Sequence, residues 1–422
     1  MQFAAKFKGW AQVAATVALV SLVAACGGGG GSNNSSSSNS SSISNGLPVS
    51  PSATPVAANA ANTAQITVAQ GVANVINIPT VTVTVCVPGT STCQSIPNVQ
   101  VDTGSYGLRI VNSALSVALP NAAVPNGSGT LVECTIFADG YSWGSVRTAT
   151  VQIAGETATS IPVQVLGDVS FSVPSRCANG AAENTASAIG ANGILGIGVA
   201  PFDCGSTCSS LTTFAQFSNY YACSGSSCTT TQVPNNAQVA NPVAHFATDN
   251  NGVIVEMPAV SNTGSGSATG TLVFGIGTQS NNRLAASQTF TTDAAGDLAN
   301  STFNGSRLKA FFDSGSNAYF FADSTLPLCG SNFNGFYCPT SGQTRTVNLV
   351  GLNGVSAAAN IGILSAATLF SNGTNYAFND LAGQVGLASS FDIGLPFFYG
   401  RYMYFGIDQT ANSGSQAPFV GY

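Results

Sequence analysis

The sequence predicts an all-β fold, and three observations carry that reading. Helix formers are scarce: Lys+Arg total 10 and Asp+Glu 16 in 422 residues, against 47 glycines, whereas helices are usually written with Ala, Leu, Glu and Lys. Short apolar segments alternate with period two and end at turn residues. They recur at close spacing, the pattern of a sandwich or a barrel. Apolar residues make up 44% of the chain, which is ample for a core and excludes a disordered polyelectrolyte for most of the length.

The chain opens with an address. Lys6 and Lys8 precede an apolar run over residues 13–25, broken only by Thr16 and Ser21. The run is short for a membrane span and has the shape of a secretory signal, so residues 1–25 are read as a cleaved signal peptide. Leu22-Val23-Ala24-Ala25-Cys26 resembles a bacterial lipobox, in which Cys26 is lipidated and becomes the mature N-terminus. Gly27 in place of Asp favours outer-membrane sorting. The expected location is the cell envelope, with the membrane engaged through an N-terminal lipid. Residues 26–60 are read as a tether, opening with five glycines at 27–31 and rich in Ser and Asn through Asn45, a composition that behaves as flexible coil.

The elements follow in order. Residues 80–85, Thr-Val-Thr-Val-Thr-Val, form a period-two strand, and residues 98–101 another. Residues 149–153 end at the turn Ala154-Gly155. Residues 270–274 run into Gly275-Ile276-Gly277. Residues 308–312 run directly into Asp313, and residues 401–405 form a late aromatic strand. Residues 211–217 and 357–369 are the expected short helices.

Several function classes fall away. A formal charge of −6 cannot neutralise a phosphate backbone, so no nucleic-acid partner is expected. The single histidine, His245, rules out multi-His metal sites and leaves little for Ser-His or Cys-His chemistry. No metal and no cofactor is called for. Of 11 cysteines, ten remain beyond Cys26, an even number that an oxidising compartment would pair. Cys86–Cys93 and Cys329–Cys338 read as local loops. Cys204, Cys208, Cys223 and Cys228 are expected to nest as 204–228 and 208–223, which leaves Cys134–Cys177. Sequence alone does not fix this connectivity.

One long-range echo carries chemistry. Val101-Asp102-Thr103-Gly104-Ser105 returns 211 residues later as Phe312-Asp313-Ser314-Gly315-Ser316. Each copy follows an apolar strand, and the chain is poor in Asp, so chance is a weak explanation. The glycine lets backbone N–H groups approach the carboxylate, and the hydroxyls add donors. Ser105 and Ser316 are read as outer partners of the carboxylates, Thr103 and Ser314 as ties between the loops. Two such loops facing each other would bring Asp102 and Asp313 close enough to share a proton, the general arrangement that hydrolyses peptides without metal or cofactor.

These residues resemble the bilobal pepsin-like aspartic peptidases. In that family an apolar-apolar-Gly strand threads behind each active loop. Residues 193–198 look like the first copy and residues 393–398 the second, with Asp392 as an irregularity ahead of Ile393. Residues 137–144, holding Phe137, Tyr141 and Trp143, are similar to the flap hairpin over the substrate. The resemblance covers residues 65–422 and implies a double β-barrel with a cleft between pseudo-symmetric lobes, 61–245 and 246–422. It implies an aspartic-type endopeptidase with Asp102 and Asp313 as the dyad, acting as a monomer on peptides or proteins. The chain departs from the family at Phe137, where a Tyr is usual, and at Arg109, where its Trp partner falls. These changes motivate an alternative, an inactive lipoprotein of the same fold that binds a peptide, glycan or envelope partner. Length and tether are also similar to a family of Gram-negative lipoproteins described only as a domain of unknown function.

Overall fold

A computed structural model describes residues 46–125, 127–384, 389–410 and 414–422. The signal peptide, most of the tether and Cys26 lie outside the described residues. Strands dominate, in one 16-stranded and one seven-stranded sheet that curl into barrel-like halves. The described α-helices are single turns of four residues. Among the described residues no helix is long and apolar enough to cross a membrane.

Period-two patterning explains the strands. In Thr80–Cys86 the valines at 81, 83 and 85 are fully or almost fully buried while Thr82 faces solvent. A seam joins the halves: Thr63–Val68 pairs antiparallel with Ala268–Phe274, which pairs with Gly252–Glu256, which pairs in turn with Tyr402–Gly406. The main apolar cluster runs through this seam, from Ile66 and Val101 to Phe312 and Phe405.

The two halves repeat one local topology. In the first, the strand Gly193–Ile197 lies parallel to Cys93–Asp102 and antiparallel to Tyr106–Val111. In the second, Ser390–Gly394 lies parallel to Ser306–Asp313 and antiparallel to Tyr319–Phe320. Each Asp ends the outer strand of its trio, with Gly196 opposite Asp102 and Gly394 opposite Asp313. The glycines are required by close approach: a Cβ on Gly196 would sit 2.6 Å from the Tyr106 nitrogen.

Four expectations need correction. Residues 357–369 are not a helix: Ser356–Ile363 is a strand paired along its length with Gln343–Val350, and only Ala366–Leu369 forms a helical turn. Its alanines favour helix, but burial of Ala359, Ile361 and Ile363 at alternate positions shows that sheet packing overrides propensity. The helix expected at 211–217 shrinks to Phe214–Phe217. The tether is not free coil to residue 60. Leu47 is buried, Ser50 donates to Asn262 (3.1 Å), Ala53 N–H donates to the Gly400 carbonyl (2.9 Å) and Val56 N–H to Glu256 (2.7 Å).

The fourth correction concerns the disulfides. Cys86–Cys93, Cys134–Cys177 and Cys329–Cys338 are bonded, but the nested pairs 204–228 and 208–223 are not; the bonds are Cys204–Cys208 and Cys223–Cys228. Cys223 and Cys228 face each other across a hairpin, with Cα atoms 4.1 Å apart. Cys208 lies in the helical turn Ser206–Ser209 and Cys204 just before it; both pack in a different cluster from Cys223, so nesting would have to bridge two separate packed regions.

Candidate active site

The two Asp-hydroxyl-Gly-Ser loops meet at the centre of the molecule. Thr103 N–H donates to Ser314 Oγ (3.1 Å) and Ser314 N–H donates to Thr103 Oγ1 (2.9 Å). Each hydroxyl then donates onward to the opposite strand, Thr103 to the Phe312 carbonyl (3.2 Å) and Ser314 to the Val101 carbonyl (2.8 Å). This reciprocal lock is two-fold in form and leaves none of its four groups unsatisfied, as burial demands.

The lock fixes the carboxyls. Gly104 N–H donates to Asp102 Oδ1 (3.0 Å) and Gly315 N–H to Asp313 Oδ1 (2.7 Å). Ser105 Oγ donates to Asp102 Oδ2, and Ser316 Oγ lies 2.8 Å from Asp313 Oδ2. A Cβ placed on Gly315 would lie 2.6 Å from Asp102 Oδ1 and 2.9 Å from Asp313 Oδ1. The two oxygens are therefore no farther apart than those distances added together, inside the roughly 6 Å over which carboxylates couple directly. A Cβ on Gly104 would meet Asp313 Cγ at 2.5 Å. No other residue type fits at either glycine. Both Asp side chains are fully buried.

A hairpin of Thr130–Ile136 and Gly140–Ile153 turns at residues 137–139, where Phe137 N–H donates to the Gly140 carbonyl (2.7 Å). Its tip residue Ala138 packs against an apolar cluster of Ile76 and second-half residues that include Ala318, Phe320 and Phe336. Phe137 lies in an apolar cluster with Val111, Leu166 and Ile194. Tyr141 and Trp143 are placed differently from a mobile, cleft-facing flap aromatic. Trp143 is 2% exposed, donates Nε1–H to the Phe171 carbonyl (3.2 Å) and packs edge-on against Tyr221. It is the cross-strand partner of Cys134, and Tyr141 that of Ile136. Glu133 and Thr135 alternate with Cys134 and Ile136, so Tyr141 and Trp143 occupy the hairpin face opposite Glu133 and Thr135.

That other face holds a buried charge network missed by sequence reasoning. Arg109, 1% exposed, donates to Glu133 Oε1 (2.7 Å), Asp203 Oδ2 (3.2 Å), Thr135 Oγ1 (2.9 Å) and the Tyr106 carbonyl (2.6 Å). Tyr220 donates to Asp203 Oδ1 (2.6 Å). Burial raises both acids, but at Glu133 the Arg109 charge, helped by hydrogen bonds that include the one donated by Thr135, overcomes it and holds that carboxyl below its ordinary range. Asp203 is pushed well above its range by burial and by the Glu133 charge. The network straps the hairpin to the strand that follows the Asp102 loop. A lone charged residue in the strand Tyr106–Val111 was its only signal in the sequence.

The solved structure of an aspartic proteinase from Irpex lacteus is similar to 86% of this chain and to 97% of its own, at 16% identity and a TM-score of 0.49. No curated protein matches the sequence. Residues 58–422 match the family described as Protein of unknown function (DUF3443). With all but the N-terminal segment matched, the chain belongs to that family.

Proposed function

We propose that the chain is an aspartic-type endopeptidase, held in the bacterial envelope by a lipid on Cys26 and acting as a monomer on peptides or proteins. One observation supports the reading above all others: two pseudo-symmetric loops lock together and bring Asp102 and Asp313 within coupling distance. Two carboxyls so close cannot both ionise, so one proton is shared. The ionised member takes a proton from water as the water oxygen attacks the scissile carbonyl carbon. The protonated member donates to the carbonyl oxygen. Collapse of the resulting diol breaks the C–N bond, and a proton passes to the leaving amine. Every proton is supplied by water and the dyad.

A second reading has its own support. Both carboxyls are fully buried, the hairpin tip packs against a cluster drawn mostly from the opposite half, and Phe137 and Arg109 stand where the pepsin-like peptidases that the sequence resembles have Tyr and Trp. These features favour a lipoprotein that keeps the fold to bind a peptide, glycan or envelope partner. An acid-pH peptide-library digest separates the readings. The endopeptidase reading expects cleavage that Asp102→Asn and Asp313→Asn each reduce by roughly 10²–10⁴-fold. Cleavage that survives both substitutions, or none at any pH, rejects it.

A further inference from the structure

A third carboxyl lies behind the pair. Asp392 sits on the strand Ser390–Gly394 and is fully buried. The internal repeat gives it a counterpart. Gly394 faces Asp313 as Gly196 faces Asp102, and two residues earlier stand Asp392 and Ile194, also fully buried. The first half thus fills this slot with an apolar side chain and the second with an acid.

Proton accounting defines the state of that acid. Ser316 Oγ lies 2.8 Å from Asp313 Oδ2 and 2.6 Å from Asp392 Oδ2. A serine hydroxyl carries one proton and can donate to only one of them. The other contact needs a proton on the carboxyl itself. Asp392 Oδ1 has no hydrogen-bond partner among the described residues. A carbonyl oxygen tolerates that position far better than a charged carboxylate oxygen. The charged groups acting on Asp392 are Asp313 on the neighbouring strand and Asp102 from the other half, both acidic. On its other side the strand Tyr319–Phe320 adds only Tyr319, itself kept neutral by burial. Burial first, and then the Asp313 charge, push the Asp392 carboxyl well above its ordinary range.

We infer that Asp392 is a positioning residue: it holds a proton of its own, donates it to Ser316 Oγ, and so directs the single Ser316 proton to Asp313. The inference rests on the reading of Asp102 and Asp313 as a hydrolytic pair, but its first test does not. Infrared spectra of the full chain with carbon-13-labelled aspartate should show, at neutral pH, a protonated-carboxyl band that Asp392→Asn removes and Asp102→Asn retains. Absence of such a band, or a spectrum unchanged by Asp392→Asn, would overturn the inference. If the wild-type chain hydrolyses no peptide, the endopeptidase reading fails while this proton is still measured. Where hydrolysis is found, Asp392→Asn keeps a neutral donor and should hold kcat close to wild type. Asp392→Leu loses the donor and should lower kcat about tenfold at unchanged KM, the worth of one hydrogen bond. Equal losses in the two variants would show that the carboxylate form is the one in use. Should Asp392→Leu fail to fold, the spectra of wild type and Asp392→Asn still decide the question.

Discussion

At the scale of single residues, hydroxyls and glycines hold two acids in place. Thr103→Val removes the acceptor of the Ser314 N–H and the donor to the Phe312 carbonyl, both fully buried. A loss of about 1–3 kcal/mol is expected for each buried group left unpaired, read as a lower midpoint in urea. Thr103→Ser keeps the hydroxyl and should lose little. These residues were legible in the sequence because the chemistry demands glycine and hydroxyl at fixed offsets from each Asp, twice. Asp392 was visible only as an irregularity in an apolar stretch. Its meaning comes from strand register, which places it behind Ser316, and no local spacing encodes that.

At the scale of elements, the hairpin and its strap carry the next expectations. Arg109→Met would leave Glu133 charged and buried with no cation to balance it, so a loss of about 3–5 kcal/mol is expected in equilibrium unfolding. A joint change of Arg109, Glu133 and Asp203 to apolar residues should recover most of it, because the network then leaves no orphaned charge. Trp143 gives a second test. With residues 1–25 removed it is the only tryptophan of the two in the chain, and it packs beside the Cys134–Cys177 disulfide and Tyr221. Its emission should shift to the red on reduction of that bond and stay constant when a statine-type peptide fills the cleft. A response to the peptide would place the ring on the cleft side. The strand at 80–85 was legible from alternation alone, and that at 308–312 from an apolar run ending at Asp313. The strand Ser356–Ile363 was not, because Ala-rich text favours helix until a partner strand is present to pair with it.

At the scale of the whole molecule, buried acids set the pH response. Burial raises Asp380 to about 7, and Asp203 and Asp392 are raised well above their ordinary range. A raised carboxyl binds its proton more tightly folded than unfolded. Its contribution is complete below the ordinary carboxylate range and is lost as pH climbs through the folded value. Glu133 and Asp323, both lowered, act in the opposite sense. The raised groups outnumber them, so the thermal midpoint should fall from about pH 4 to pH 7, at roughly 2–4 °C per kcal/mol. Asp380→Asn should flatten that fall. A midpoint that rises over this interval would contradict the assignment. The same internal repeat that supplies two Asp loops also supplies the two threading strands, so the doubled architecture was readable from a five-residue echo. The join between halves, through Thr63–Val68 and Ala268–Phe274, was not, since antiparallel pairing across some 200 residues leaves no mark in either segment.

The claim on which the rest depends is that Asp102 and Asp313 behave as one proton-sharing pair. Carbon-13 NMR titration of the two side-chain carboxyls, in wild type and in Asp102→Asn, tests it most directly. A proton-sharing pair should give two separated steps in wild type, with the later one above the ordinary carboxylate range, and a fall of the remaining Asp313 step toward that range once its charged neighbour is gone. Two independent titrations in wild type, unchanged at Asp313 by the substitution, would contradict it.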